Sequence, residues 1–258
     1  MKLSQIAAQM YSVREFLKTP ADIKKSLVKV KKIGYQAVQL SGLGPIADSE
    51  LTRMLNGEGL VCCATHEPSD VILNDPGKAV DHLKAIGCTA TAYPFPRNIK
   101  LSSMREVKAF AKSLDKAGSV FHKAGIELSY HNHDIEFVRV DGKLVLDLLM
   151  ELTSPDNLKL ELDTYWAQAG GSNPVEICKR YKGRMPLIHI KDYGMTPERK
   201  PVFEEIGSGN LNWTELLKAA EAAKSKWFIV EQDANFEGGN PFKSLAMSFE
   251  FLKANFAK

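Results

Sequence analysis

Eight short runs of apolar residues, each followed by a stretch of helical periodicity, set narrow limits on what this chain can fold into. The runs cover 3–9, 36–41, 60–66, 88–93, 126–133, 157–163, 185–190 and 227–232. The length and β-branched or aromatic content of each run suit a strand. Between and after them, helical patterns are predicted over 20–33, 48–56, 78–86, 104–123, 144–152, 175–181, 213–223 and 241–255. Four of these openings carry a polar cap followed by proline, at Thr19-Pro20, Asp75-Pro76, Asn173-Pro174 and Asn240-Pro241. Proline is favoured at a helix's first position because its missing N–H has no intrahelical partner there. Strict strand–helix alternation demands parallel strands joined by crossovers. At 258 residues the leading architecture is a single (β/α)8 TIM barrel of class α/β, spanning 1–258 as one domain. An open doubly wound sheet is the alternative. No GxGxxG follows the first run, which counts against a dinucleotide fold.

Hydrophobic residues make up 44% of the chain and charged residues 25%, so a core can form without disulfides. Cys62, Cys63, Cys88 and Cys178 have no CxxC spacing and read as reduced, buried thiols. The net charge of +3 is spread along the chain, and the one basic run, 24–32, alternates with Leu27, Val28 and Val30 as an outer helix face would. Nucleic acid is therefore not expected as a partner. The first nine residues are too short and polar for a signal peptide, and no apolar run approaches the roughly 18 residues of a membrane span. A cytoplasmic protein with no membrane partner is expected, and a homo-oligomer is compatible with such a chain.

The chemistry is concentrated at the C-terminal ends of the runs, which carry Gln9, Gln39, His66, His131 with His133, Asp163, His189 and Glu231. In parallel α/β folds that edge is where ligands bind. The runs 157–163 and 185–190 enclose a helical pattern, so Asp163 and His189 should stand on neighbouring strands. Carboxylate and imidazole donors without cysteine suit Mn, Co, Zn or Mg in an open catalytic site. A divalent metal ion is the cofactor expected.

The motifs point the same way. Tyr130-His131-Asn132-His133-Asp134-Ile135-Glu136-Phe137, Asp163-Thr164-Tyr165-Trp166, His189-Ile190-Lys191-Asp192, the segment from Glu205 to Asn210, and Val230-Glu231-Gln232 together resemble the sugar phosphate isomerase/epimerase superfamily, the xylose-isomerase-like barrels. The resemblance covers nearly the whole chain in order. It implies a barrel with a divalent metal at the ends of strands five to eight, acting on a sugar or polyol by proton transfer next to a carbonyl. It also implies Asp163, His189 and Glu231 as ligands from strands six, seven and eight. Where many relatives keep a strand-five glutamate, this chain has Ser129. Strand alternation sends Ser129, His131 and His133 to one face, which makes His131 the fourth ligand expected, with Glu136 as the other candidate. Relatives often read GEGxxD where this chain has Gly207-Ser208-Gly209-Asn210-Leu211-Asn212, so two carboxylates are missing.

The expected reaction is isomerisation or epimerisation through an enediolate, with His133 or Glu231 as base and Lys191 or His66 donating to an oxygen. If a β-hydroxyl leaves after proton removal, the same residues perform a dehydration. A catalytically silent sugar-binding barrel is a further alternative. The related abasic-site endonucleases need more ligands and a basic rim, and neither is present in the sequence.

Overall fold

The computed structural model describes residues 1–257. Eight strands close into a parallel barrel: β1 (Ile6–Gln9), β2 (Ala37–Leu40), β3 (Val61–His66), β4 (Ala90–Tyr93), β5 (Glu127–His131), β6 (Lys159–Asp163), β7 (Leu187–Ile190) and β8 (Trp227–Val230). Closure comes from β1 pairing with β8 as well as β2, with Ile6 opposite Phe228 and Ala8 opposite Val230. That pairing rules out the open doubly wound sheet. In the register of β6 and β7, Asp163 lies opposite His189, the adjacency expected from strand order.

All four polar-proline openings cap helices as the sequence predicts. Thr19 accepts from Asp22 N, Asp75 from Lys78 N, Asn173 from Val175 N and Asn240 from Phe242 N, and in each the proline occupies the first turn. Each side-chain oxygen satisfies a backbone N–H that the helix cannot. The longest helix, Met104–Lys123, turns Val107, Phe110, Ala111, Leu114, Ala117, Gly118 and Phe121 onto the barrel, the stripe that a 3.6-residue period produces. Gly118 packs directly on the Asn157 carbonyl, where a Cβ has no room.

The barrel interior is divided by chemistry. Its lower end is filled by Ala7, Ala37, Cys63, Ala64, Ala90, Leu187 and Ile229. Cys63 and Ala64 both face inward because β3 bulges against β2 between Val38 and Gln39. Above this small apolar plug the inward positions are polar: Gln9, Gln39, Glu161 and His189 are all fully buried. The surrounding apolar shell lies between strands and helices.

The structure adds elements absent from the sequence reading. Leu3–Gln5 is a 3-10 turn rather than strand. Short helices Ser69–Asn74 and Thr164–Ala169 follow β3 and β6. Two antiparallel hairpins, Arg139–Val140 with Lys143–Leu144 and Asp192–Met195 with Pro201–Glu204, follow β5 and β7. All four cysteines are free. Among the described residues no helix is long and apolar enough to cross a membrane.

Candidate active site

At the C-terminal mouth of the barrel, His131, Asp163, His189 and Glu231 bring one ligand atom each to within 4.8 Å of one another. His189 Nδ1 lies 2.8 Å from Glu231 Oε2 and 3.9 Å from Asp163 Oδ2. His131 Nε2 lies 4.0 Å from Asp163 Oδ2. Asp163 Oδ1 caps the helix that follows it, accepting from Trp166 N at 2.9 Å, and Oδ2 is buried without a hydrogen bond among the described residues. Asn132 fixes the height of Asp163 by accepting from its backbone N–H at 2.9 Å. Four convergent N and O donors, one of them a buried carboxylate oxygen with no closer partner than the Lys191 ammonium at 3.0 Å, fit a divalent cation.

Lys191 is buried in the same cluster. Its Nζ lies 3.0 Å from Asp163 Oδ2 and 2.8 Å from both Glu231 Oε2 and Asp233 Oδ2. Those three carboxylates outweigh the cost of burial and hold the ammonium well above its usual pKa, while its charge, with that of His189, keeps Glu231 well below the usual carboxylate range. Burial pushes Asp163 up to about 6 despite Lys191. Although burial opposes it, the carboxylates of Glu161 and Glu231 raise His189 to about 10, holding a proton that an ion at Nδ1 would displace. Burial and the Lys191 charge lower His133 to about 3, so its ring is neutral.

One layer deeper stands Glu161, fully buried and two residues below Asp163 on β6. His66 Nε2, His189 Nε2 and His131 Nδ1 lie 2.5, 3.1 and 3.2 Å from its Oε1. Gln39 donates to its Oε2 at 2.7 Å. Glu161 lies inside the 157–163 run rather than at its C-terminal end, where the other polar site residues stand. Its parity with Asp163 carries the signal, since residues two apart on a strand share a face.

A model of the xylose isomerase-like TIM barrel family matches residues 27–255. The chain belongs to that family. A sugar phosphate isomerase/epimerase from Parabacteroides distasonis is 25% identical, superimposes with a TM-score of 0.82 and covers 98% of this chain and 95% of its own. An inosose dehydratase of Geobacillus kaustophilus is 26% identical over 174 residues, 62% of this chain and 56% of that protein. The chain thus spans just over half the length of such relatives. A xylose isomerase-like TIM barrel protein of Mycobacterium smegmatis, solved with magnesium, shares the fold at a TM-score of 0.74 and 14% identity, over 98% of this chain and 97% of that one.

In this xylose isomerase-like barrel the cluster opens into a cavity of about 1010 Å³ lined by His66, His131, His133, Lys191, Glu231 and Asp233 among others. His133, two residues past the end of β5, stands between Phe95 and Trp166 with ring centroids at 5.1 and 5.4 Å. Tyr165 stacks on Phe203 of the 192–204 hairpin at 4.0 Å, closing one aromatic wall. Glu136 is not brought into the site. It is buried under the turn after β5, accepting from Tyr130 Oη at 2.6 Å and His133 N at 2.7 Å, because a 3-10 turn at Ile135–Phe137 breaks the strand alternation. Ser208 and Asn212, where relatives often keep carboxylates, are exposed. Their loop is tied instead to Asp192, whose oxygens accept from Tyr193 N, Gly207 N, Gly209 N, Leu211 N and Trp213 Nε1 at 2.7–3.3 Å.

Proposed function

We propose that this barrel is a divalent-metal-dependent enzyme acting on a keto-sugar or cyclic keto-polyol by removing the proton next to its carbonyl. The observation that carries the reading is the convergence of His131, Asp163, His189 and Glu231, of which His131 and Glu231 line the cavity. A divalent cation held by these four residues supplies Lewis-acid polarisation of the carbonyl and stabilises charge as it develops. The remaining steps belong to the chain's own residues. Glu231 and His133 are the two candidate bases, and both open onto the cavity. The Lys191 charge depresses both. Passing its proton to a substrate oxygen would remove that charge as the base needs proton affinity. His66 reaches the same cavity and can hydrogen-bond a second oxygen.

If the proton returns to the substrate, the outcome is isomerisation or epimerisation. If Lys191 protonates a β-hydroxyl, water leaves and the enzyme is a dehydratase. The likeness to inosose dehydratases and Ser129 in place of a second strand-five carboxylate favour this second outcome. The test is incubation of the metal-loaded protein in deuterated water with ketoses, 3-keto-glycosides and inosose. Deuterium at one carbon, dependent on metal and lost in Glu231→Gln, is the expected result, and a mass loss of water identifies the dehydratase. Absence of exchange with every keto-sugar would leave the silent sugar-binding barrel.

A further inference from the structure

Beneath the candidate ligands runs a chain of hydrogen bonds whose direction is set by the backbone. A peptide N–H can only donate, and that of Tyr11 donates to Gln9 Oε1 at 3.2 Å. Gln9 must therefore present Nε2 to Gln39 Oε1, 2.9 Å away, and Gln39 presents Nε2 to Glu161 Oε2. Gln39 Oε1 is thereby fixed as an acceptor, so His189 Nε2, 2.5 Å from it, carries a hydrogen. Glu161 Oε1 likewise accepts only, and it faces His66 Nε2, His189 Nε2 and His131 Nδ1. Gln9, Gln39 and Glu161 are completely buried.

We infer that Glu161, braced by Gln39, is the positioning residue of the metal centre. It keeps hydrogen on His189 Nε2 and draws that of His131 to Nδ1, which lies 3.2 Å from Oε1 with no hydrogen bond made there, and this leaves His189 Nδ1 and His131 Nε2 as the donors toward Asp163 and Glu231. This rests on the reading of His131, Asp163, His189 and Glu231 as the metal ligands. One strand then serves both layers: Asp163 faces the ion and Glu161, a residue pair below, faces the backs of the histidines that bind it. The lower group of His66, His131, Glu161 and His189 also brings donor atoms within 4.8 Å. A neutral imidazole has one lone pair, so His131 and His189 cannot serve an ion on each side while keeping a ring hydrogen. The acceptor at Gln39 Oε1 excludes that arrangement for His189.

Glu161→Gln tests the role directly. Its new carbonyl must meet Gln39 Nε2, which turns the new NH2 onto the imidazoles and drives hydrogen toward the ion-facing nitrogens. Zinc titrated into the metal-free protein by calorimetry should give one ion per chain in both forms, bound about 10–100-fold more weakly in Glu161→Gln. Nitrogen NMR of the zinc-loaded wild type should show His189 bound through Nδ1 and His131 through Nε2. That assignment needs no variant, so failure of Glu161→Gln to fold leaves the question decidable. Binding through the opposite nitrogens, or equal affinity in the two proteins, overturns the role of Glu161 while the metal reading stands. Two ions in the wild type falling to one in Glu161→Gln would make Glu161 a ligand and overturn it as well. A wild type that takes up no zinc overturns both readings together.

Discussion

The Lys191 ammonium lies 2.8 Å from the Glu231 carboxylate, with 1% and 5% of the two side chains exposed. Asp163, fully buried, and Asp233, partly exposed, complete a cluster of three carboxylates around one buried cation. Removing one partner of such a cluster leaves uncompensated charge, at a cost of about 3–5 kcal/mol. Lys191→Met is therefore expected to lower the melting temperature of the metal-free protein. A divalent cation should recover much of that loss, so the thermal shift produced by manganese should be larger in Lys191→Met than in the wild type. Equal shifts in a scanning fluorimetry series would show that Lys191 and the ion do not share these carboxylates.

Strand five offers a second test. His131 Nε2 points toward Asp163, whereas both oxygens of Glu136 are occupied by Tyr130 and the His133 backbone. His131→Ala should weaken metal binding by more than about 100-fold, and Glu136→Ala by far less. Calorimetric titration gives the order, and the reverse order would turn Glu136 inward.

Glu136 should instead declare itself in the pH dependence of stability. Burial lifts its carboxyl from the usual 4.5 to about 7, so the folded state binds this proton more tightly than the unfolded state. The contribution is fully present below about 4.5 and is lost as pH rises through about 7, amounting to roughly 3 kcal/mol at 1.4 kcal/mol per pH unit. Glu136→Gln removes that titration. Its stability relative to wild type, from urea unfolding, should rise by about this amount between pH 4.5 and pH 8. A constant difference would mean that Glu136 titrates normally.

Much of this was legible because it is periodic. Alternating runs announced the barrel, and four polar-proline pairs marked helix starts that the structure caps as expected. Strand order alone put Asp163 beside His189. Glu161 carries no such mark: Lys159, with the same parity, sits at the lower rim with Nζ on the Pro155 carbonyl, so parity alone does not separate a buried carboxylate from a rim cation. Glu136 lies outside the cluster because a 3-10 turn at Ile135–Phe137 ends the alternation, and nothing in His133-Asp134-Ile135 announces that turn. Asp192 looked like part of a motif, but most of its partners are backbone amides 15–19 residues away, and backbone donors leave no trace in residue types.

Asp192 carries the last prediction. Its two oxygens take five N–H donors, four from the backbone and one from the Trp213 indole. The carboxylate is therefore the hub on which the 207–213 loop is wound. Gly209 has no room for a Cβ against it. Hydrogen bonds to an ionised acceptor contribute about 1.5–3 kcal/mol each. Asp192→Asn keeps the shape, loses the charge and turns an NH2 onto N–H groups that need an acceptor. The expected result is a loss of about 2–4 kcal/mol in global stability, with amide hydrogen exchange accelerating most at Gly207, Gly209 and Leu211. Lys191 precedes Asp192 in sequence, and the hairpin strand that begins at Asp192 carries Phe203 on its return to the Tyr165 wall. Deuterium incorporation into a keto-sugar should therefore slow in Asp192→Asn even when metal content is unchanged. If those three amides kept wild-type protection in Asp192→Asn, the loop would be held by contacts other than the carboxylate, and the hub assignment would fail.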